Sequence, residues 1–175
     1  VTHEGTNGKM TEVCAAMGLT SLESLEIFVS ANWRNFEAYA AELRDIQGLA
    51  LIRYDAAQRN NYQYIVMEVE DEEFGLTRDE LVAVLHAENI LARRYFYPGC
   101  HRMEPYRSYG PTALLPITDR IASRVLLLPT GTSVDPGAIR KVVSIIRATQ
   151  TYADAIRQSL RTRTLTTDDL GKANE

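Results

Sequence analysis

Two short segments contain residue types that could bind a ligand. The first is Gly5–Lys9, in which small, amide and basic residues precede an apolar helical pattern. The free backbone N–H groups and the dipole at a helix N-terminus attract anions, so this segment could hold a phosphate group. An ordinary polar helix cap is the alternative interpretation of the same residues.

The second segment is the loop from Tyr95 to Tyr109, which combines aromatic and basic side chains. Each tyrosine offers a flat apolar ring with a polar tip. His101, Arg102 and Arg107 add hydrogen-bond donors for a phosphate or a sugar. The alternative is a loop that is packed against the protein by its own aromatic rings.

The chain lacks the patterns of several complete catalytic sites. It has no Walker-type phosphate loop, no Gly-x-Gly-x-x-Gly and no Gly-x-Ser-x-Gly elbow. The three histidines do not stand at metal-ligand spacing, so no metal site is expected. The lysines at positions 9, 141 and 172 do not suggest the desolvated amine that Schiff-base chemistry requires. We therefore do not expect the isolated chain to be a complete enzyme.

Length and composition are those of one ordinary domain. The chain has 175 residues, of which 45% are apolar and 24% charged, so it can bury a core. The net charge of −4 argues against a nucleic-acid partner. No apolar run approaches the roughly 18 residues that cross a bilayer, so no membrane partner is expected. Two cysteines, Cys14 and Cys100, fit a reducing, cytoplasmic setting.

An apolar stripe predicts a first helix of more than 30 residues. Met10, Val13 and Met17 begin the stripe and it continues to Leu43, with a possible interruption at Gly18. Cys14 lies on the same stripe and is expected to be a small core residue. A helix this long exceeds the average of about 11–12 residues, and we expect it to bridge two domains or follow a subunit interface.

Shorter strands and helices alternate after the first helix. Strands are predicted at Leu49–Tyr54, Tyr62–Val69 and Ile90–Phe96. Helices are predicted after the capping box of Thr77 and Glu80, after Thr118 ahead of the apolar run Val125–Leu128, and after Asp135. The expected fold is α/β (α+β), with a three- or four-stranded sheet covered by helices on one face. The first helix would lie against the outside of this layer.

The residues around the first helix resemble a known family. Gly5-Thr6-Asn7-Gly8-Lys9-Met10-Thr11-Glu12, followed by Ala15-Ala16-Met17-Gly18-Leu19, is similar to a Gly-x-Asn turn and helix of the DegT/DnrJ/StrS-type sugar aminotransferases. Further segments match in the same order: Asn61-Tyr62-Gln63-Tyr64, then Tyr95-Phe96-Tyr97-Pro98 with His101, Pro105 and Tyr106, and then Leu115–Thr130. The resemblance extends over about Gly5–Arg147.

This resemblance implies the C-terminal part of a fold-type-I transferase that depends on pyridoxal phosphate. In the family, the Schiff-base lysine lies upstream in a large domain, to which nothing in this chain corresponds. The asparagine at the position of Asn7 reaches the cofactor phosphate of a neighbouring subunit. The loop with Tyr97, His101 and Tyr106 approaches the nucleotide-sugar side of the active site. Gly8 and Lys9 depart from the family, because many members have an aromatic residue and an arginine after the asparagine.

The resemblance also implies a division of the chain and its partners. Residues 1–160 would form the small domain with a leading interdomain helix, and residues 161–175 a disordered tail. The chain would take part in amino transfer to a nucleotide-linked keto-deoxysugar, as a homodimer or with a large-domain polypeptide. Pyridoxal phosphate would bind only with the large domain, and the isolated chain would be inactive. The alternative is a free-standing, non-catalytic module for dimerisation or sugar-nucleotide binding.

Overall fold

A computed structural model describes residues 8–108, 114–160 and 162 of the chain. Asn7 and the predicted tail, apart from residue 162, lie outside the described residues. The elements in chain order are α1 (Glu12–Glu23), α2 (Leu25–Glu42), β1 (Leu49–Leu51), β2 (Ile65–Val69), α3 (Asp71–Phe74), α4 (Arg78–Ala87), α5 (Pro116–Arg124), β3 (Val125–Leu128) and α6 (Pro136–Thr151). Two short 3₁₀ turns, Cys100–Arg102 and Tyr106–Ser108, lie between α4 and α5.

The first helix is broken into two helices. α1 and α2 meet at Ser24 with a bend of 53°, so the interruption lies six residues after Gly18. α2 packs against α6, whereas α1 buries no side chain. The bend therefore separates the exposed α1 from α2, which packs on the core. In the described part of the chain no single helix is long and apolar enough to cross a membrane, and α1 and α2 reach that length and composition only as a bent pair.

The sheet is antiparallel, and its three strands lie in the order β1-β2-β3. Leu49 of β1 pairs with Val69 of β2, and Met67 pairs with Leu126 of β3. The number of strands agrees with the prediction. The third strand is β3, which is the apolar run Val125–Leu128. The predicted strand Ile90–Phe96 is wrong, because this segment contributes only one isolated bridge beside β3 and then turns away.

The core lies on one face of the sheet, under α2, α4 and α6. Alternate residues of β2 point into it, as expected for a strand with one buried face. The predicted apolar face of α6 is buried there, and it consists of Ile139, Val142, Val143 and Ile146. Its helix begins as predicted, since Asp135 accepts a hydrogen bond from the Ala138 N–H at 2.8 Å.

Helix α2 is also fastened to the loop that follows β3. The buried Asn35 donates to the Gly131 carbonyl at 2.9 Å, and the Tyr39 hydroxyl donates to the Pro129 carbonyl at 3.0 Å. Burial raises the pKa of Tyr39, because the interior disfavours a phenolate. These contacts hold α2 against the core, whereas α1 has no buried residue.

Candidate functional site

The ring of Tyr97 lies against two arginines in the loop that follows α4. The Arg78 guanidinium carbon is 4.9 Å from the ring centroid, and that of Arg94 is 5.9 Å away. Both arginines donate to the same oxygen of Asp79, at 2.8 and 3.3 Å. Tyr97 is 47% exposed, so part of its ring is open to a ligand. Cations at these distances are attracted to the negative ring face and hold its orientation.

His101 is held by a neighbouring carboxylate. Its Nε2 is 3.1 Å from Asp119 of α5, and its ring packs over Gly99. A Cβ at position 99 would lie 2.9 Å from Cε1 of the imidazole, so any larger residue there would displace the ring from this position. The His101 side chain is 12% exposed. In this geometry His101 attaches the loop to α5 through Asp119.

Asp119 also binds the guanidinium of Arg102. Arg102 donates from Nε at 2.7 Å and from Nη2 at 2.6 Å to the two carboxylate oxygens. This hydrogen bonding lowers the pKa of Asp119 below its usual value, and Asp119 in turn raises the pKa of Arg102. Because each partner stabilises the charged form of the other, the pair is ionised at neutral pH.

The basic donors that the sequence suggested for a phosphate are already paired. Arg102 binds Asp119, and Arg107 donates to Glu104 at 2.8 Å. A phosphate would have to compete with these carboxylates. The geometry therefore favours the aromatic side chains of the loop, rather than its arginines, as the surface that meets a ligand.

Tyr106 lies in the 3₁₀ turn Tyr106–Ser108, which packs against the turn Cys100–Arg102. It is 62% exposed, and the backbone of the next residue is held by a hydrogen bond from Arg107 N to the Met103 carbonyl at 2.9 Å. The structure thus brings the turns of His101 and Tyr106 together. It does not describe the position of Asn7.

An apolar cleft of about 410 Å³ lies between the loop and α5. Its wall includes the stacked rings of Tyr95 and Phe96, whose centroids are 4.0 Å apart, and Ile117 and Ile121 of α5. Ile117 is 70% exposed. This composition suits a flat or apolar group better than a charged one.

Three residues of this site were missed by sequence reasoning: Arg78, Asp79 and Asp119. Arg78 occupies the first position of α4, where the helix dipole disfavours a cation, and this misplacement was the available signal. Asp119 gave no signal, because an acidic residue in the first turn of a helix is ordinary. Its partners lie 17 and 18 positions away.

The described residues do not by themselves fit a pyridoxal phosphate site. Lys9 and Lys141 are both exposed, and Lys172 lies outside the described residues. A lysine that forms a Schiff base needs a desolvated or otherwise activated amine. Among residues 8–108, 114–160 and 162, no group of three His, Cys, Asp or Glu side chains could hold a metal ion.

A second surface is the exposed apolar face of α1 and α2. Its large side chains are each between 41% and 72% exposed, and they are Met10, Val13, Met17, Leu19, Leu22, Leu25, Ile27, Phe28 and Trp33. The expectation that Cys14 is a core residue is wrong, since Cys14 is exposed on α1. The stripe that predicted a buried helix therefore meets no partner within the described part of this chain.

Comparison with known proteins gives relatives for this fold and loop. The model of the DegT/DnrJ/EryC1/StrS aminotransferase family matches residues 1–147. The dTDP-4-amino-4,6-dideoxy-D-glucose transaminase of Shigella dysenteriae is 36% identical over 143 residues, which are 82% of this chain and 39% of that protein. The enzyme of the same name from Escherichia coli is 32% identical over 148 residues, 83% of this chain and 40% of that protein.

Solved structures of similar fold lead to the same family. DesI, crystallised in the presence of its TDP-sugar product, superimposes with a TM-score of 0.80 and 42% identity over 91% of this chain and 40% of DesI. A DegT/DnrJ/EryC1/StrS aminotransferase from Brucella abortus has a TM-score of 0.70 and 26% identity over 83% of this chain and 37% of its own. The chain spans about 40% of the length of these relatives. Because the family match extends over most of its residues, the chain belongs to the DegT/DnrJ/EryC1/StrS aminotransferase family.

Proposed function

We propose that this chain is the C-terminal, substrate-side part of a sugar aminotransferase that depends on pyridoxal phosphate. The reaction is transfer of an amino group to the keto group of a nucleotide-linked deoxysugar. Residues 1–160 act as the small domain with its leading helix, and the lysine and most of the cofactor pocket come from a large domain. The single observation that carries this proposal is the exposed apolar face of α1 and α2.

The composition of α1 supports a partner that covers this face. A helix that is apolar on several sides is normally buried, and α1 carries Val13, Met17, Leu19 and Leu22 with no buried residue. Large contiguous apolar patches on a protein surface mark sites that another surface covers. The relatives are more than twice as long as the matched segment, so a large domain of that family is the occupant we propose.

The loop that contains Tyr97 supports the substrate side of the proposal. Tyr97 and Tyr106 present partly exposed rings, and His101 fastens the loop between them to α5. The two transaminases named above have a dTDP-linked sugar in their names, and DesI was crystallised in the presence of its TDP-sugar product. We assign Tyr97, His101 and Tyr106 to the nucleotide-sugar side of the site.

The cofactor role of this chain is confined to one residue in this proposal. Pyridoxal phosphate, when bound, supplies the electron sink for amino transfer. Asn7 would contact the cofactor phosphate of a neighbouring subunit, by resemblance to the family. Since no described lysine is buried, the isolated chain would be inactive and would bind no cofactor. A cytoplasmic location is part of the proposal, because the two free cysteines, Cys14 and Cys100, fit a reducing compartment.

A chimeric enzyme tests this proposal. This chain replaces the matching segment of the Shigella dysenteriae transaminase, with which it shares 36% identity, and the chimera is assayed for transaminase turnover and for the visible absorbance of bound cofactor. Turnover is expected, and Phe28→Asp on the exposed apolar face of α1 and α2 should abolish both signals. Tyr152→Asp is the matched control, because Tyr152 is an exposed aromatic residue at the end of α6.

Two results would count against the proposal. A chimera that folds by circular dichroism but shows no turnover would reject the substrate-side role.

Light scattering of the isolated chain addresses the alternative function. A stable homodimer that takes up no large-domain polypeptide would favour a free-standing, non-catalytic dimerisation module.

A further inference from the structure

Arg78 is buried at a place that does not favour a buried cation. Its side chain is 1% exposed, although it stands at the first position of α4, where the helix dipole is positive. Burying a guanidinium costs free energy unless its donors are paired. Its contacts therefore show what the residue holds in place.

The hydrogen bonds of Arg78 join α4 to the junction of α5 and β3. Nη1 donates to the Ala122 carbonyl at 3.0 Å and to the Val125 carbonyl at 2.6 Å, while Nε donates to Asp79. Ala122 lies in the last turn of α5, where the carbonyls lack helical partners and a cation is favourable. One side chain thus fixes the end of the helix that carries Asp119.

The remaining nitrogen of Arg78 faces a different environment. Nη2 is buried and has no hydrogen-bond acceptor among the described residues. The guanidinium carbon lies 4.9 Å from the Tyr97 ring centroid, within the range of a cation–π contact. The ring supplies the negative surface that a buried, incompletely bonded guanidinium requires.

We propose that Arg78 is a positioning residue that orients the Tyr97 ring toward the nucleotide sugar. The buried Arg78 and the half-exposed Arg94 both lie against the ring, and both donate to the same oxygen of Asp79. Arg78 does not touch the ligand, since its side chain is covered by Tyr97 and by the α5–β3 junction. This inference rests on the proposed function for the identity of the ligand, but the contact between the two side chains does not depend on it.

Nuclear magnetic resonance of the 175-residue chain tests the contact directly. The Arg78 Nε–H signal should exchange slowly with water and be shifted by the ring current of Tyr97. Tyr97→Leu should remove that shift, whereas Tyr152→Leu, a change of an exposed ring at the end of α6, should leave it in place. An Arg78 signal that does not respond to Tyr97→Leu would overturn the proposal.

Kinetics of the chimeric transaminase test the consequence. Arg78→Lys keeps the charge but replaces the planar, five-donor guanidinium that stacks on the ring with a compact ammonium that has three donors. We expect KM for the nucleotide sugar to rise about tenfold with kcat within about twofold, the pattern of lost ligand binding. Arg140→Lys, at an exposed position of α6, is the control and should change neither. An unchanged KM would overturn the positioning role. So would a fall in kcat as large as the rise in KM.

The two arms separate the failure of this proposal from that of the proposed function. If the chimera with the native residues has no turnover, the proposed function fails, and the resonance arm alone decides whether Arg78 orients Tyr97. If Arg78→Lys does not fold, Tyr97→Leu reports the same contact from the surface side. A responsive Arg78 signal with normal KM in Arg78→Lys would reject the link to the substrate.

Discussion

The guanidinium of Arg102 binds both carboxylate oxygens of Asp119, at 2.7 and 2.6 Å. The same carboxylate is hydrogen-bonded to Nε2 of His101, so one acidic residue of α5 holds two neighbouring residues of the loop. Parallel charge-assisted hydrogen bonds of this kind fix direction as well as distance. Asp119 is therefore the residue on which the placement of the turn Cys100–Arg102 depends.

Asp119→Asn should loosen this turn without unfolding the protein. The amide cannot accept two charge-assisted hydrogen bonds from Arg102, and His101 loses its carboxylate partner. Amide hydrogen exchange at Arg102 and Met103 should become severalfold faster, while exchange in α6 stays the same. Glu104→Gln is the control, since it removes the carboxylate paired with Arg107 instead. Equal exchange in Asp119→Asn and the native chain would disprove this role.

The stabilising effect of Asp119 should also depend on pH in a defined direction. Its pKa in the folded protein lies below the ordinary 3.8, chiefly because Arg102 donates to it. The stabilisation is therefore present above the unfolded pKa and is lost as the pH falls through the folded pKa. Urea denaturation gives the free energy of unfolding of the native chain and of Asp119→Asn. The two values should differ by a constant amount above about pH 5 and converge below about pH 4. Divergence on acidification would contradict the assignment.

Tyr39→Phe should lower stability at neutral pH and flatten the alkaline limb of the stability curve. The change removes the hydrogen bond to the Pro129 carbonyl, a loss of about 1 kcal/mol. Burial raises the pKa of Tyr39 above the ordinary 10.0, so the native chain loses more stability than Tyr39→Phe as the pH rises past the unfolded value. Tyr152→Phe, at an exposed position, should behave like the native chain in denaturation from pH 7 to 11.

Gly48→Ala should destabilise the protein strongly. Gly48 has φ of +72°, and a Cβ there would lie 2.3 Å from the backbone nitrogen of Phe74. The expected loss is about 3 kcal/mol or more in the free energy of unfolding, because backbone must move. Gly18→Ala is the control: nothing lies within 4 Å of that position, and the change should be neutral or slightly stabilising. A loss at Gly48 no larger than at Gly18 would contradict the prediction.

Trp33 should report the covering of the exposed apolar face of α1 and α2. It is the one tryptophan in the sequence and is 49% exposed in the isolated chain. Its fluorescence should move to shorter wavelength if the proposed large domain packs on this face, because the indole would leave water. The isolated chain and the chimera, with the transaminase's own tryptophans replaced, provide the comparison. The same emission maximum in both would show that the face around Trp33 stays exposed.

The sequence predicted the features that form within a few residues of each other. The capping box of Thr77 and Glu80 is present, with Glu80 N to Thr77 Oγ1 at 3.2 Å, and α6 begins at Pro136 after Asp135. The motifs of the first helix and of the Tyr97 loop indicated the family that the comparisons show. Such features need only local hydrogen bonds or a local residue pattern, so they can be read in chain order.

The tertiary structure decided where those elements end and what the site contains. Ile90–Phe96 has strand-like residues, yet it turns away after the single bridge of Arg93 to Leu127, so its side chains line the loop instead. The burial of Arg78, its contact with Tyr97 and the binding of His101 and Arg102 by Asp119 join residues far apart in the chain. The apolar stripe predicted a helix but could not say what would cover it, because burial depends on partners that helical spacing does not name.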